Sequence, residues 1–295
     1  RCSFCSIPLI KGPYRSRSIS SIVSEARNLA SLGIREINLV SQDSTFFGRD
    51  RGLKSGLARL LDRLISIKDI KWIRWLYGYP EEIHDDLLEI MNEKKICPYF
   101  DLPFQHASAT MVKKMGRSIK ARDSLRLIEK IRSTVKGAVI RTSLIVGFPG
   151  EGSREFSELK QFVREARFEH LGVFSYSAEP GTPAINLKET VSPEEKERRR
   201  QEIMAIQKEI SRDFYRIFKG QILEVLFEGH DASALEKCVF YGRTKFQAPE
   251  VDGRVIIKNN DQILASNRKP DFLQVKITGA RTYDLVGKAL NAKTI

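Results

Sequence analysis

Residues 138–151 read AVIRTSLIVGFPGE and place a strand directly before a tight turn. The largely apolar run over 138–146 is typical of a buried strand in a parallel sheet, and the glycines and proline of 147–150 end it. A helical pattern follows over 153–166. A strand, a turn and a helix in succession predict a βαβ unit, so this stretch indicates an α/β fold.

The same alternation extends in both directions along the chain. The other predicted strands cover 36–40, 72–77, 99–104 and 171–176. The predicted helices between them cover 17–32, 55–66, 81–93, 111–115 and 122–135. Polar residues follow four of the strands. Each could be a helix cap, but their recurrence at the C-terminal strand ends predicts a functional site there.

The pattern changes near residue 192. A long charged helix is predicted over 193–218, with Pro193 at its start and Gly220 after its end. Its run Arg198-Arg199-Arg200 is flanked by glutamates, and we interpret it as surface. Short alternating strands then predict a small antiparallel β-barrel. They cover 222–227, 238–243, 255–258 and 272–277. The predicted domains are therefore 1–220 and 221–295.

Composition and charge narrow the class of protein. No run of eighteen apolar residues occurs, so no transmembrane helix is expected. The net charge of +13 favours an anionic or nucleic-acid partner, and solubility alone is the competing explanation. Of the four cysteines, Cys97 and Cys238 are isolated, which does not predict a disulfide framework. A reducing cytoplasm is the expected location.

The other two cysteines lie close together in Arg1-Cys2-Ser3-Phe4-Cys5. Thiolates at this spacing bind either zinc or an iron–sulfur cluster. A zinc site normally needs a second Cys or His pair nearby, and the sequence has none. We expect the chain to be the downstream part of a longer protein, with a further ligand ahead of Arg1.

The segment over 2–8, with Gly12 and the basic run 15–18, resembles the radical S-adenosylmethionine (SAM) family. Four later motifs resemble the methylthiotransferases of that family: EINLVSQD at 36–43, DLPFQHAS at 101–108, RTSLIVGFPGE at 141–151 and YSAEPGTPA at 176–184. The runs QHAS at 105–108, YGRT at 241–244 and APEVDG at 248–253 are similar to the type that modifies an aspartate of a small-subunit ribosomal protein.

This resemblance implies a fold and a set of cofactors. The fold would be a partial radical SAM (β/α)6 barrel that lacks its first strand, followed by a TRAM-like β-barrel. Cys2 and Cys5 would be two ligands of a [4Fe–4S] cluster whose third cysteine lies upstream of this chain. SAM would bind the open iron, and a second [4Fe–4S] cluster would belong to an upstream domain that this sequence lacks.

The resemblance and the strand-end pattern together predict that nine residues lie near SAM or substrate. No protein side chain is expected to be catalytic. The nine are Phe4, Gln42, Asp43, Gln105, Arg141, Gly147, Gly150, Glu151 and Tyr176. In the competing interpretations, Arg141 pairs with Asp101 and Glu151 only begins the next helix. His106 is expected to be a hydrogen-bonded structural histidine.

The implied partners are a small-subunit ribosomal protein or the ribosomal subunit, an electron donor and, through the TRAM-like barrel, RNA. No membrane is expected. The implied reaction adds a methylthio group to an aspartate β-carbon through a 5′-deoxyadenosyl radical, and the sulfur is carried at the second cluster. Two alternatives stay open at this point: a transfer-RNA methylthiotransferase, and a non-catalytic zinc- and RNA-binding protein.

Overall fold

The computed structural model of the protein describes residues 2–118, 120–231, 239–258 and 271–290. The chain divides into two compact units, residues 1–207 and 208–295. This division falls within a long helix, whereas the sequence pattern predicts a domain boundary at the end of that helix. Cys238 lies outside the described residues.

The first unit contains five strands, and every pairing between them is parallel. They are β1 (Glu36–Leu39), β2 (Trp72–Trp75), β3 (Tyr99–Asp101), β4 (Val139–Val146) and β5 (His170–Ser175). Strand β1 pairs with β2, and the other three form a sheet in the order β3-β4-β5. An isolated parallel bridge also joins Ile73 of β2 to Ile96, which lies just before β3. The predicted α/β fold is confirmed.

Helices connect these strands, and their apolar residues recur every three or four positions. They are α1 (Ile7–Lys11), α2 (Ile19–Ser31), α3 (Gly56–Ile65), α4 (Asp85–Ile90), α5 (Ala109–Lys114), α6 (Ala121–Thr134), α7 (Ser153–Ala166) and α8 (Pro193–Arg216). Helix α7 shows the pattern clearly, because it buries Phe156, Leu159 and Phe162 on one face. Burial of such a face, rather than intrinsic propensity, supplies most of the stability of a helix of this length.

Several predicted elements are shorter in the structure, and two of them lose at least half of their predicted length. The helix predicted over 81–93 begins only at Asp85, because Ile83 and His84 have extended backbones after the 3-10 turn Pro80–Glu82. The strand predicted over 99–104 ends at Asp101. The short helix α1, directly after the cysteine pair, was not predicted.

The second unit contains a closed barrel of five strands in the order β10-β8-β7-β6-β9. They are β6 (Ile222–Asp231), β7 (Val239–Arg243), β8 (Val255–Ile257), β9 (Phe272–Ala280) and β10 (Leu285–Ala289). Tyr215 and Phe218 belong to its apolar core. The predicted small β-barrel is confirmed, with two differences. Strand β10 was not predicted, and its pairing with β8 is parallel rather than antiparallel.

Candidate functional site

The cysteine pair opens onto a cleft at the C-terminal ends of β1 and β2. The cleft has a volume of about 480 Å³, and its lining includes Cys2 and Cys5 together with Gln42 and Asp43. Both thiols are free and partly exposed. The structure thus brings four of the predicted residues together, because the cysteine loop lies over the end of β1, which Gln42 and Asp43 follow.

The loop that carries the cysteines is held by two other parts of the first unit. The Ser3 amide donates to the Met115 carbonyl at 3.0 Å, and the Ser3 hydroxyl donates to the Lys114 carbonyl at 2.7 Å. From the segment after β5, the Ala184 amide donates to the Ser3 carbonyl at 2.9 Å. The Phe4 ring lies edge-on to Phe148, 6.3 Å between centroids. These contacts give the cysteine loop a defined position over the strand ends.

Cys2 has two polar neighbours at its sulfur. The Arg117 Nε donates to Cys2 Sγ at 3.1 Å, and the Tyr79 hydroxyl lies 3.2 Å from the same sulfur. The Arg117 guanidinium also stacks on the Tyr79 ring, 4.0 Å from its centroid. Burial raises the pKa of the Tyr79 hydroxyl, although the charge of Arg117 opposes this shift. The hydroxyl therefore stays protonated at neutral pH and can donate to a Cys2 thiolate.

Asp43 serves partly as a cap. Its Oδ1 accepts hydrogen bonds from the Thr45 hydroxyl and from the Phe46 amide, so it caps the 3-10 turn Ser44–Phe46. Burial raises the pKa of Asp43, against these hydrogen bonds, which lower it. The neighbouring Gln42 is exposed in the cleft. Binding of SAM by either residue stays a prediction.

Asp101, the last residue of β3, pairs with Arg141, which lies near the start of β4. The Arg141 guanidinium lies 2.8 Å from Asp101 Oδ1, and the two side chains are only 13% and 2% exposed. Asp101 also accepts the Tyr77 amide at its other oxygen, at 3.2 Å. The competing interpretation of Arg141 as a structural partner of Asp101 is therefore observed, and its contact with SAM stays a prediction.

Two strand ends beside the site have backbone conformations that non-glycine residues rarely adopt. Gln105 has a φ of 70° and Tyr77 a φ of 59°. The Gln105 backbone is held on both sides, because its amide donates to Ser143 and its carbonyl accepts from Ile145. Such strain persists only where the surrounding structure imposes it, and it is common at binding sites.

Gly147 and Gly150 both need the left-handed conformation, with φ of 71° and 87°. A Cβ on Gly147 would lie 2.3 Å from Lys196 Cγ, and one on Gly150 would lie 2.2 Å from Lys114 Nζ. The groups that approach the two glycines closely in this structure are therefore lysine side chains. Close approach of a cofactor to this loop stays a prediction.

Glu151 lies at the centre of a buried polar network beneath that loop. Its Oε2 accepts the Gly147 amide at 2.7 Å and lies 3.5 Å from His106 Nε2, and its Oε1 accepts from Arg199 at 2.8 Å. Burial opposes ionisation, but the neighbouring His106 and the hydrogen bond and charge of Arg199 lower the pKa of Glu151. Both carboxylate oxygens are occupied by protein groups, so in this structure Glu151 positions the loop.

His106 has the structural role that the sequence predicts. Its Nδ1 accepts the Ser108 amide at 2.9 Å, which assigns the proton of a neutral imidazole to Nε2, on the side of Glu151. The side chain is fully buried.

Tyr176 combines burial with an unused polar atom. Its ring packs edge-on against Phe148, 5.0 Å between centroids, and its residue is 5% exposed. Its hydroxyl has no hydrogen-bond partner among the described residues. Burial raises the pKa of Tyr176, and the charges of Glu189 and Glu179 add to the shift. A buried donor without a partner is the feature expected where a ligand completes the site.

Sequence reasoning missed several residues around the site, and it was wrong about Arg199. This residue is 6% exposed, not on the surface as its neighbouring charges suggested. The overlooked signal is the helical period, since the buried positions of α8 include Lys196, Arg199, Ile203 and Gln207, at steps of three and four. Arg117 and Tyr79 carry no local signal that links them to Cys2.

The thiol chemistry fits part of an iron–sulfur site. No group of three or more His, Cys, Asp or Glu side chains that could hold a metal ion occurs within 2–118, 120–231, 239–258 and 271–290. Cys2 and Cys5 therefore supply two thiolates, which suit iron in a cluster, and the adjoining cleft leaves room for a further ligand. No helix of the described part of the chain is long and apolar enough to span a bilayer.

The fold and the site together define a parallel α/β protein with a thiol-lined cleft at its strand ends and a separate small β-barrel. The family model of the Radical SAM superfamily matches residues 1–163, and that of the TRAM domain matches residues 220–290. The chain belongs to the radical SAM superfamily and, within it, matches the RimO-type methylthiotransferases. The predicted resemblance is confirmed.

Among curated relatives, the chain is 45% identical over 99% of its length to "Ribosomal protein uS12 methylthiotransferase RimO" of Aquifex aeolicus, strain VF5. It is 42% identical over 98% of its length to the protein of the same name from Clostridium botulinum, strain Okra. The chain covers only 66% and 63% of the lengths of these two relatives.

Two solved radical SAM structures share the fold. One is the methyltransferase TsrM of Kitasatospora setae, with a TM-score of 0.52 and 18% identity over 62% of this chain and 36% of TsrM. The other is the coproporphyrinogen III oxidase HemN of Escherichia coli, with a TM-score of 0.52 and 18% identity over 71% of this chain and 50% of HemN. At this identity the likeness concerns the fold alone.

Proposed function

We propose that the complete gene product to which this chain belongs is a radical SAM methylthiotransferase that acts on ribosomal protein uS12 and adds a methylthio group to the β-carbon of an aspartate, and that this stretch of it is inactive alone. The observation that carries the proposal is the 45% identity to a uS12 methylthiotransferase over nearly the whole chain, combined with the Cys2 and Cys5 thiols at the cleft. The relatives are longer than this sequence. A third cysteine ligand and a second [4Fe–4S] cluster, which carries the sulfur, would therefore belong to residues outside it.

In this proposal Cys2 and Cys5 hold a [4Fe–4S] cluster. When bound, the cluster supplies the electron that cleaves SAM to methionine and a 5′-deoxyadenosyl radical. The protein groups bind and orient. Gln42 and Asp43 face the cofactor from the end of β1, and the Tyr176 hydroxyl supplies a hydrogen-bond donor from the end of β5. The network around Glu151 holds the turn after β4 in one shape, as accurate positioning of reactants requires.

The proposed partners follow from the relatives and from the second unit. The relatives' name specifies ribosomal protein uS12, so the substrate is that protein, free or in the small ribosomal subunit. The TRAM domain would contact RNA, which agrees with the net charge of +13. An electron donor completes the set, and the cytoplasm is the location in which ribosomes and reduced thiols coexist.

The test uses the complete gene product, reconstituted anaerobically with iron and sulfide, reduced, and supplied with SAM. Small ribosomal subunits and transfer RNA are incubated in parallel, and mass spectrometry then searches each for one added methylthio group. We expect the addition on uS12. Modification of transfer RNA alone would support the transfer-RNA methylthiotransferase, which the positive charge and the TRAM domain also fit.

A pair of matched thiol variants controls this experiment. Cys2→Ala should abolish iron uptake at the SAM cluster and all SAM cleavage. Cys97→Ala should preserve both, because Cys97 is fully buried and does not line the cleft. One equivalent of zinc with no iron in the reconstituted wild type would contradict the proposal and favour a non-catalytic zinc-binding protein.

A further inference from the structure

The two cysteines of the site differ in what surrounds their sulfurs. Cys2 Sγ accepts from the Arg117 guanidinium at 3.1 Å, and the Tyr79 hydroxyl, which can donate to a thiolate, lies 3.2 Å away. Within the described part of the chain, no side-chain hydrogen bond reaches the sulfur of Cys5, although its backbone amide contacts the Cys2 carbonyl at 3.4 Å. One thiol of the pair is therefore in a strongly donating environment, and the other is not.

The donors at Cys2 are held in place by the rest of the unit. Arg117 follows the end of α5, after the left-handed Gly116, and its amide donates to the Val112 carbonyl at 2.9 Å. The residues just before it bind the cysteine loop through Ser3. The sulfur and the guanidinium therefore share one frame, and the distance between them does not depend on a flexible side chain alone.

Tyr79 is fixed in the same way. Its amide donates to the Thr45 hydroxyl at 3.1 Å, and Pro80 directly after it begins a 3-10 turn. The Arg117 guanidinium lies 4.0 Å above the ring, so each of the two donors limits the movement of the other. Each of the three residues Cys2, Tyr79 and Arg117 thus contacts the other two.

We propose that Arg117 and Tyr79 are positioning residues that raise the reduction potential of the cluster bound by Cys2. The inference rests on the proposed function. Hydrogen bonds donated to a ligating thiolate withdraw negative charge from sulfur, and they stabilise the reduced cluster more than the oxidised one because the reduced cluster carries one more electron. Neither residue touches the substrate in this role. They act through Cys2.

The test measures the reduction potential of the cluster in the complete gene product by anaerobic redox titration followed by EPR. Tyr79→Phe removes one donor and keeps the ring under Arg117. Arg117→Met removes the other donor together with its charge, and Arg117→Lys keeps the charge but loses the planar stacking. The control is Arg126→Met, since Arg126 is exposed on α6 and pairs with the exposed Asp123.

We expect Tyr79→Phe and Arg117→Met to bind as much iron as the wild type and to be harder to reduce. A tenfold fall in the equilibrium constant for reduction by one electron corresponds to a potential lower by about 59 mV. The Arg117→Met shift should be the larger, and Arg117→Lys should restore part of it. Arg126→Met should leave the potential unchanged.

The outcomes separate this inference from the proposed function. A wild-type protein that takes up no cluster would overturn both. A wild-type protein with a cluster, and variants with full iron and an unchanged potential, would overturn only the role of Arg117 and Tyr79. Lower iron content without a change in potential would show a purely structural role, and it too would count against the inference. If Arg117→Met does not fold, Tyr79→Phe decides the question, because it removes only a hydroxyl.

Discussion

The Glu151 carboxylate accepts the backbone amide of Gly147 at 2.7 Å and closes the turn that follows the longest strand of the parallel sheets. Arg199 neutralises the same carboxylate from α8 at 2.8 Å. A helix that begins some forty residues later along the chain thus holds the turn between β4 and α7. The shape of this strand end depends on a buried ion pair that the local sequence does not contain.

Glu151→Gln should lower the free energy of unfolding by about 3 kcal/mol at neutral pH, since removal of one partner of a buried pair leaves Arg199 less well compensated. Glu195 still contacts Arg199 at 2.7 Å and limits the loss. Glu158→Gln is the matched control, because Glu158 pairs with the exposed Arg154. Urea unfolding measures both, and equal losses in the two variants would contradict the importance of the buried pair.

The environment of Glu151 also predicts that the free energy of unfolding depends on pH. The pKa of Glu151 is lowered from its ordinary value of 4.5. The unfolded state therefore binds the proton first as the pH falls, and the stability from this group is present above about pH 4.5 and lost below it. The difference in unfolding free energy between wild type and Glu151→Gln should stay nearly constant from pH 6 down to about pH 4.5 and shrink from there towards pH 3. A difference that is constant over this range would show that the carboxylate is not stabilised by its partners.

Gly147→Ala and Gly137→Ala form a pair that separates backbone strain from steric overlap. Both glycines have a φ of 71°, but a Cβ on Gly137 would meet nothing within 4 Å. Gly137→Ala should cost about 1 kcal/mol for the left-handed conformation. Gly147→Ala should cost about 2 kcal/mol more, because Lys196 must move. Thermal unfolding compares the two, and equal costs would show that Lys196 yields without penalty.

The pairing of Asp101 with Arg141 predicts that substitutions of the two residues have strongly non-additive effects on stability. Arg141→Met and Asp101→Asn should each destabilise the protein by about 3 kcal/mol, since each removes one member of a buried ion pair. The double variant should lose less than the sum of the two, with a coupling energy of about 1 to 3 kcal/mol. A double-mutant cycle in urea measures this energy. Additive losses would indicate that the two residues act separately, and Arg141 would then return as a candidate for binding SAM.

Tyr176→Phe should separate stability from cofactor binding. Without SAM, loss of a buried hydroxyl that has no partner among the described residues should leave the stability unchanged or raise it by up to about 1 kcal/mol. If the hydroxyl donates to SAM, the affinity of the reconstituted protein for SAM should fall about tenfold, as for a typical hydrogen bond. Unchanged SAM affinity, measured by calorimetry, would remove Tyr176 from the cofactor site.

Much of the site could be predicted from the sequence, because parallel strands deliver their C-terminal residues to one edge. Cys2, Cys5, Gln42 and Asp43 do line one cleft. The errors arose where a local pattern was ambiguous. The glutamates beside Arg199 favoured a surface position, and only the helical period of its buried neighbours contradicts it.

The amino-acid sequence by itself determined the order of strands and helices, the β-barrel after them and the residues at the strand ends, since periodicity and turn chemistry act over a few neighbouring residues. Only the tertiary structure decided which side chains meet. Arg117 and Cys2 are 115 positions apart, and Arg199 and Glu151 are 48 apart. These contacts depend on how the helices and strands pack in three dimensions. Burial of the apolar faces of the helices and strands, rather than any local preference, determines the position of each charged side chain.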